Sequence, residues 1–455
     1  MVNQNSVLSS ISFSQTSDWN IKQFFGSCTI KSNFDLKKLG TAIKRRKDQM
    51  TVEDGKKYKR ITIKTNCGGV VVRDEAWGKD IKTKDQYYVK AGQLAVSKID
   101  ARNGAFGIVP PEADGAIITG NFWVYDVDSE KANINYLILM LSSNVFMNAW
   151  QDCSNGSGNR LYLQEDRFLN YKVPMPSITK QKEIIKQFEK KITDAYNVIS
   201  EAESIQMSIS DYLTKTLGIV EIEGVQTKVF STVKYSMVDK WGVDFLTCGR
   251  VIHNRKFPTK PIASVCDSGS GGTPSRSVSS YYGGDIPWIK TGEVLDDIIY
   301  DTEEKITQEA VKNSSAKLYP KGSIVIAMYG QGLTRGRTAK LGIDATTNQA
   351  CLVLYNIDTD KVLPDYLWYY LQGEYHRLRA LAYGNNQPNL NAGIINNYPI
   401  VLPPIKSDNP LEVTQTAIVK EIVRRKDQIK TLKAEANELK EEAQKMFEEA
   451  VFGEA

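Results

Sequence analysis

Polar and basic side chains with the chemistry to contact nucleic acid lie in glycine-rich stretches of both halves of this 455-residue chain. In the second half, GGTPSR (271–276) precedes YYGGDIPWIKTGEV (281–294), and MYGQGLTRGRTAK (328–340) follows. Arg and Lys bind guanine edges and Asn and Gln suit adenine, while glycine lets the backbone approach a phosphate. One such loop is more typical of an ordinary surface turn, but the recurrence of these loops favours a reader of nucleic acid. The candidate contacts are Arg60, Lys64, Lys98, Arg102 and Asn103 in the first half, and Ser275, Arg276, Lys290, Tyr329, Gln331, Arg335 and Arg337 in the second.

Catalytic signatures are missing from the sequence. It has no G-x-x-x-x-G-K-[ST] phosphate loop and no G-x-G-x-x-G at a strand-to-helix turn, and the GSGG run at 269–272 leads into Thr-Pro-Ser rather than a helix. Two histidines, His253 and His376, exclude a His-rich metal site and argue against a His-dependent triad. Six cysteines without a C-x-x-C pair are typical of reduced, packed thiols. We therefore expect no catalytic residue, metal ligand or cofactor in this chain.

Composition is that of an ordinary globular protein, with 24% charged and 41% hydrophobic residues. No apolar run reaches the roughly 18 residues that span a bilayer, and the first twenty residues lack a signal-peptide pattern. These features predict a cytoplasmic protein. The net charge is +5, and residues 31–64 hold twelve Lys/Arg against four Asp/Glu. Such an excess fits either a solvated face or contact with phosphates.

The chain repeats itself, and the repeat predicts two similar globular domains of strands and a few helices. Each half is expected to comprise about 150 residues of this kind followed by a long helix. The matched segments are AGQLAV (91–96) with KGSIVI (321–326) and GNFWVYDVD (120–128) with TNQACLVLYNID (347–358), all predicted strands, and INYLILML (134–141) with PDYLWYYL (364–371), both predicted helices. Trp19 also matches Trp241.

Two long amphipathic helices position these domains. Thr179–Leu217 places apolar residues at alternating steps of four and three, and adding 234 to each number gives the same pattern near the end of the sequence. This is a coiled-coil seam. The predicted seam is Ile184, Phe188, Lys191, Val198, Ile205 and Ile209 in the first helix, and Ile418, Ile422, Arg425, Ile429, Leu432 and Leu439 in the second.

A stripe of this kind also suits a helix packed on its own domain, but the first seam extends over roughly 42 Å, which exceeds the size of an ordinary domain helix. We expect the two helices to pair antiparallel, with Lys191 and Arg425 fixing the register. The fold class is therefore α+β, with two repeated domains joined by an antiparallel two-helix coiled coil and related by a pseudo-twofold axis. The predicted segments are residues 1–178 (first domain), 179–217 (first helix), 218–239 (linker), 240–410 (second domain) and 411–455 (second helix).

Several segments resemble the specificity (S) subunit of Type I restriction-modification systems. They are GGTPSR with YYGGDIPWIKTGEV, KGSIVIAMYG (321–330), GNNQPNLN (384–391) and TQTAIVKEIV (414–423). The first half shows the resemblance through the repeat, and carries KRRKDQMTVEDGKKYKRITIKT (44–65) where a GGTPS loop would stand.

The resemblance implies two target-recognition domains, each reading one half of a split DNA target, and a coiled coil that sets the gap. A 42 Å spacer covers about 12 base pairs at 3.4 Å per pair. It also implies two methyltransferase (M) subunits that use S-adenosylmethionine to methylate adenine, and possible restriction (R) subunits that use ATP and Mg; this chain itself would bind no cofactor. Ile185, Ile192 and Ile199, outside the seam, would contact the M subunits or the adjacent domain.

Two alternatives remain at this point. A coiled-coil interaction scaffold would bind protein partners without sequence-specific DNA binding. A solitary methyltransferase or nuclease would need a cofactor pocket that the sequence does not reveal.

Overall fold

The computed structural model describes residues 30–155, 162–221, 251–253, 256–330, 332–382 and 389–453. The chain divides into two compact units. The first unit comprises Met1–Asn197 with Glu435–Ala455, and the second comprises Val198–Ala434. Each unit therefore contains part of both long helices.

Short strands and a few helices make up both units. The strands are β1 (Leu36–Lys38), β2 (Ile43–Arg46), β3 (Gln49–Thr51), β4 (Lys57–Ile63), β5 (Val70–Trp77), β6 (Asp85–Tyr88), β7 (Leu94–Ser97), β8 (Phe106–Ile108), β9 (Ile117–Thr119), β10 (Phe122–Val127), β11 (Ser154–Asn155), β12 (Tyr162–Leu163), β13 (Lys172–Pro174), β14 (Ile219–Glu221), β15 (Val251–His253), β16 (Thr259–Pro261), β17 (Asp267–Ser270), β18 (Tyr282–Ile289), β19 (Ile298–Ile299), β20 (Lys305–Ile306), β21 (Ile324–Ala327), β22 (Thr338–Leu341), β23 (Thr346–Thr347), β24 (Cys351–Tyr355) and β25 (Pro399–Val401). The α-helices are α1 (Ile134–Ser142), α2 (Asn144–Asp152), α3 (Glu165–Asn170), α4 (Ile178–Leu217), α5 (Gln308–Lys312), α6 (Pro364–Gly373), α7 (Tyr375–Ala380), α8 (Ala392–Asn396) and α9 (Gln415–Phe452).

The repeat predicted from sequence is confirmed by the strand order. The first unit has an antiparallel sheet β2-β10-β7-β8, and the second has β17-β24-β21-β22 extended by β19. The matched segments form β7 and β21, β10 and β24, and α1 and α6. Even single contacts recur, because the Tyr136 hydroxyl donates to the Pro174 carbonyl and the Tyr366 hydroxyl to the Val401 carbonyl. The α+β class with two repeated domains is thus confirmed.

The two units differ in their additional sheets. The first unit carries a five-stranded sheet, β3-β6-β9-β4-β5, and the second a three-stranded sheet, β20-β18-β23. In the first unit, strand β2 is followed almost directly by strand β3. In the second unit, the equivalent strand β17 is followed by the GGTPSR loop. The sequence difference between KRRKDQM and GGTPSR therefore marks a real structural difference.

The long helices begin and end where local chemistry dictates. Helix α4 follows Pro176 and ends before Gly218, which has a left-handed φ of 65° that suits glycine at a helix C-terminus. Helix α9 begins at Gln415, four residues later than the predicted boundary at residue 411. The Thr414 side chain caps the helix there, because it accepts a hydrogen bond from the Ala417 amide at 3.1 Å. In the predicted linker, β14 pairs with β15, while residues 222–239 lie outside the described part.

In the first unit, the beginning of α4 and the end of α9 pack antiparallel. Ile184 is buried, Phe188 packs edge-on against Phe447, and Lys191 forms a 2.6 Å ion pair with Glu442. Leu439 is half-buried. The predicted seam and its basic interruption are therefore found on the contact face.

The second unit shows the corresponding packing. Ile209, Ile418, Ile422 and Ile429 are buried in its core; Ile205 and Leu432 pack against it, and Val198 is half-buried. The Arg425 guanidinium lies 4.7 Å from the Tyr212 ring and donates to the Ser208 carbonyl at 3.1 Å. Ser208 and Glu442 are 234 residues apart, as are Lys191 and Arg425, so the two basic residues make equivalent contacts.

Of the three isoleucines outside the seam, Ile185 is 5% exposed and belongs to the core of the first unit. It contacts its own domain, which was one of the two predicted possibilities, and is not available to an M subunit. Ile192 and Ile199 are half-buried, and their role stays a prediction.

Residues from distant parts of the sequence complete the first core. Phe447, Val451 and Phe452 are buried together with Tyr136 and Phe146. The ring centroids of Phe447 and Tyr136 are 5.9 Å apart, and those of Phe452 and Phe146 are 6.0 Å apart. The last turns of α9 are therefore part of the first globular domain.

Two buried glutamines attach the long helices to the domains. Gln415 accepts from the Leu363 amide (2.8 Å) and donates to the carbonyls of Lys361 (3.0 Å) and Pro403 (2.9 Å). Gln181 makes the same three bonds with Asn133, Lys131 and Pro176, at 2.8, 3.0 and 2.9 Å. Both side chains have no exposed surface. Each buried glutamine thus satisfies three backbone groups at the start of a long helix.

Candidate nucleic-acid interface

Three loops of the second unit leave the same end of one sheet. Ser270, at the end of β17, lies opposite Leu352, and Ala327, at the end of β21, lies opposite Cys351. Ile326 is paired with Thr338, the first residue of β22. Residues 271–276, residues 348–350 and the described residues of the 328–337 loop therefore emerge side by side. The sheet topology brings together stretches that are far apart in sequence.

The GGTPSR loop is held tightly against its surroundings. A Cβ on Gly271 would lie 2.1 Å from the Thr347 carbonyl oxygen, so only glycine fits there. The Trp288 indole donates to the Gly272 carbonyl at 3.0 Å, and the Tyr282 hydroxyl to the Pro274 carbonyl at 2.6 Å. The aromatic residues of the segment 281–294, most of which forms strand β18, thus support this loop, and the loop backbone is fixed in advance of any ligand.

Arg276 and Lys290 lie in a cluster of charges beside this loop. The Arg276 guanidinium is 4.3 Å from the Tyr282 ring and 2.7 Å from a Glu304 oxygen, and the Lys290 ammonium is 2.9 Å from Glu303. The hydrogen bond from Arg276 lowers the pKa of Glu304, and that with Glu303 raises the pKa of Lys290. Both cations already have carboxylate partners, so DNA phosphate would have to compete with exposed acids. Ser275 contacts the Ser277 hydroxyl at 2.8 Å on the same surface.

The 328–337 loop is braced by α7. The Tyr375 hydroxyl donates to the Leu333 carbonyl at 2.8 Å, and Arg379 donates to the Arg335 carbonyl at 3.1 Å. Arg337 lies 3.6 Å from Asp296, whose pKa is raised by burial. Tyr329 is 40% exposed. Of the predicted contacts in this loop, Gln331 lies outside the described residues.

Sequence reasoning missed Gln349, an exposed residue between the GGTPSR and 328–337 loops. The segment 347–358 was predicted to be a strand throughout, but β24 begins at Cys351 and residues 348–350 form a turn. The Thr273 hydroxyl donates to the Gln349 carbonyl oxygen Oε1. The Thr-Asn-Gln sequence before the apolar run is a turn signal that would have identified it.

The first unit presents its loop at the equivalent end of its sheet. Ser97 lies opposite Phe122 as Ala327 lies opposite Cys351, so Lys98 corresponds to Met328. The Lys98 ammonium is 5.6 Å from the centre of the Trp123 ring, and the Arg45 guanidinium 5.4 Å from it. Burial and then Arg45 lower the pKa of Lys98. Two cations thus share one aromatic ring, with Glu165 bonded to Arg45.

The β4–β5 hairpin brings three further candidates together. The Asn66 amide donates to the Asn103 carbonyl at 2.6 Å, and the Cys67 amide to the Gly104 carbonyl at 3.1 Å. Asn66 and Cys67 have left-handed φ angles of 54° and 56°. Lys64, next to this turn, therefore lies beside the Arg102 and Asn103 loop, and the Asn103 amide donates to Asp100 at 3.3 Å.

Arg60 lies apart from these residues, within strand β4. It forms two hydrogen bonds with Asp74 on β5, at 2.6 and 2.8 Å, which lower the pKa of Asp74. It also lines a cleft of about 350 Å³ with Arg73 and Lys82. The positive charge of the basic stretch that contains Arg60 is partly neutralised, because Arg46 forms an ion pair with Asp126 and Lys57 forms one with Glu75.

No helix in the described part of the chain is long and apolar enough to cross a membrane. Across the same residues, no group of three or more His, Cys, Asp or Glu side chains is placed to hold a metal ion.

The repeated sheets, the polar loops and the long helices define a class of duplicated α+β proteins with two long helices. The family model described as Type I restriction modification DNA specificity domain matches residues 30–201 and 254–441. The chain belongs to this family of Type I restriction-modification specificity subunits.

Two curated relatives are also specificity subunits of Type I restriction enzymes. The Type I restriction enzyme MjaIX specificity subunit of Methanocaldococcus jannaschii is 30% identical over 156 residues, which is 33% of this chain and 34% of the relative. The EcoR124I/EcoR124II specificity subunit of Escherichia coli is 33% identical over 101 residues, 22% of this chain and 24% of the relative. The matched parts thus span about a third and a quarter of these relatives.

A solved chain from work on complex assembly and conformational transition of the type I R-M system shares the fold. It has 16% sequence identity and a TM-score of 0.56, with 92% of this chain and 97% of that chain covered.

Proposed function

We propose that this chain reads a bipartite DNA target within a Type I restriction-modification complex. The observation that carries the proposal is the repeated sheet, since both units place their candidate loops at the same end of the same strand order. Two such surfaces in one chain suit a target made of two half-sites. The family description supports DNA as the ligand.

The long helices would set the distance between the half-sites and hold two M subunits. Their antiparallel packing within each unit, with Lys191 and Arg425 at equivalent contacts, supports a fixed register. The chemistry would belong to the partners: methyl transfer from S-adenosylmethionine to adenine in the M subunits, and ATP- and Mg-dependent cleavage if R subunits join. The chain itself would supply recognition and bind no cofactor.

The test is a map of N6-methyladenine across the host genome with this gene intact and deleted. We expect one two-part motif with a fixed gap to disappear on deletion. If every motif survives, although the M subunit is expressed and purified with this chain, the recognition role is wrong. DNA affinity that is absent, or equal for all sequences, would favour the interaction scaffold instead.

A further inference from the structure

Gln349 lies at the centre of the loop surface of the second unit, on a turn whose backbone is tied on both sides. The Asn348 amide donates to the Ile289 carbonyl at 3.0 Å, which connects the turn to the strand preceding Lys290. The Met328 amide donates to the Ala350 carbonyl at 2.9 Å, which connects it to the 328–337 loop. The turn therefore cannot move without its neighbours.

The side chain of Gln349 is oriented as well. Its Oε1 accepts from the Thr273 hydroxyl, and Thr273 follows two glycines that pack against backbone. The Gly272 amide donates to the Thr347 carbonyl at 2.8 Å, which fixes the loop beside the turn. Within the described residues no group is hydrogen-bonded to Nε2 of Gln349, so the amide donors and the second Oε1 lone pair are available to a ligand.

An exposed side chain on a surface is normally mobile, and holding it costs conformational entropy. A carboxamide held in one orientation binds with less of that cost, since the ordering has already occurred. An adjacent donor and acceptor match N7 and N6 of adenine in the major groove, which is the base that glutamine suits best.

We infer that Gln349 reads one adenine of the half-site bound by the second unit, and that Thr273 is the residue that positions it. Nε2 donates to adenine N7 while Oε1 accepts from the N6 amino group and remains bonded to Thr273. The inference rests on the proposed function and adds to it the base and the residue that reads it. Arg276 shares the 271–276 loop with Thr273, and Lys290 and Tyr329 directly follow Ile289 and Met328, whose backbones are bonded to the turn.

The experiment uses the full chain with its M subunit, and duplexes that carry the target found by methylation mapping. Each position of the second half-site is substituted in turn, and Kd is measured for the wild type and for Gln349→Ala, Gln349→Glu and Thr273→Val. Gln428→Glu, an exposed glutamine on α9, is the matched control.

We expect Gln349→Ala to lose discrimination at one adenine by about 5- to 150-fold, the range for one bidentate contact. Gln349→Glu should favour cytosine at that position, because a carboxylate accepts from the cytosine N4 amine. Thr273→Val should relax the same position alone, and Gln428→Glu should match the wild type.

If both Gln349 variants keep the wild-type preference at every position, or lose affinity for all sequences equally, the inference is wrong. A wild-type complex without a two-part target would instead refute the proposed function, so the two failures are distinguishable.

Discussion

Replacing Gln415 by leucine should destabilise the second unit while leaving the first one intact. The substitution removes the partner of the Leu363 amide and of the Lys361 and Pro403 carbonyls, which lie in part-buried or buried bonds. Three unpaired groups at about 1–3 kcal/mol each cost about 3–9 kcal/mol, and burying leucine returns about 2 kcal/mol, so we expect a loss of about 1–7 kcal/mol. The middle of that range, about 4 kcal/mol, is a large part of the roughly 5–15 kcal/mol that stabilises an ordinary domain.

Hydrogen exchange measures the stability of each unit separately. In Gln415→Leu, peptides from α6 should exchange faster while those from α1 keep wild-type protection. Gln181→Leu should produce the reverse. Gln415→Glu should be no better than leucine at neutral pH, because a carboxylate cannot donate to the carbonyls of Lys361 and Pro403.

Gln187→Leu and Gln428→Leu, at exposed positions of the two helices, are the controls. Protection in α6 that is unchanged in Gln415→Leu would show that the buried bonds contribute little, and would refute the reasoning.

Three further predictions follow from the site and the helices. Lys98→Met, which copies the equivalent Met328, should weaken binding to all DNA sequences alike and reduce the salt dependence of log K by about 0.9, as for one lost phosphate contact. Hydrogen bonds from Arg424 and Arg425 lower the pKa of Glu421 to about 2, below its ordinary 4.5. Glu421 therefore stabilises the fold above pH 4.5 and loses this effect as pH falls toward 2, so Glu421→Gln should cost about 1 kcal/mol at pH 7 and little at pH 2 in urea denaturation. Removing the facing heptads 189–195 and 438–444 should shorten the gap in the DNA target by about 3 base pairs in methylation maps.

Each of these has a matched control or a contrary outcome. Lys182→Met, on the exposed face of α4, should leave the salt dependence unchanged. A Glu421→Gln deficit that is constant with pH would rule out the carboxylate charge as its cause. If the heptad-deleted complex still methylates targets with the original gap, the length of the helices does not determine the gap.

The long-range organisation was predictable because periodicity determines it. An apolar seam at steps of four and three that extends over roughly 42 Å indicates a helix with a helical partner, and the offset of 234 indicates the repeat. The same offset relates Gln181 to Gln415, so these glutamines were detectable as polar residues in equivalent places. Both precede the first residue of the apolar seam, so the periodicity of the apolar residues does not indicate them.

Individual contacts were less predictable, because they depend on which side chains meet across the fold. Arg60 was expected to contact DNA, yet its cross-strand partner Asp74 is set by the register of β4 and β5. The sequence predicts a strand at Gln349, since its apolar neighbours dominate the pattern. Nothing local indicates that Thr273, 76 residues away, would orient it.

The burial of Phe447, Val451 and Phe452 in the first core has a consequence during synthesis on the ribosome. These residues are translated about 280 residues after Tyr171, an aromatic residue of the same core. At 5–20 residues per second, the first domain waits roughly 15–60 s with Tyr136 and Phe146 uncovered, while the second domain is made. The nascent chain therefore cannot finish its domains in the order of their appearance, and chaperone protection during this interval would matter more for the first domain than for the second.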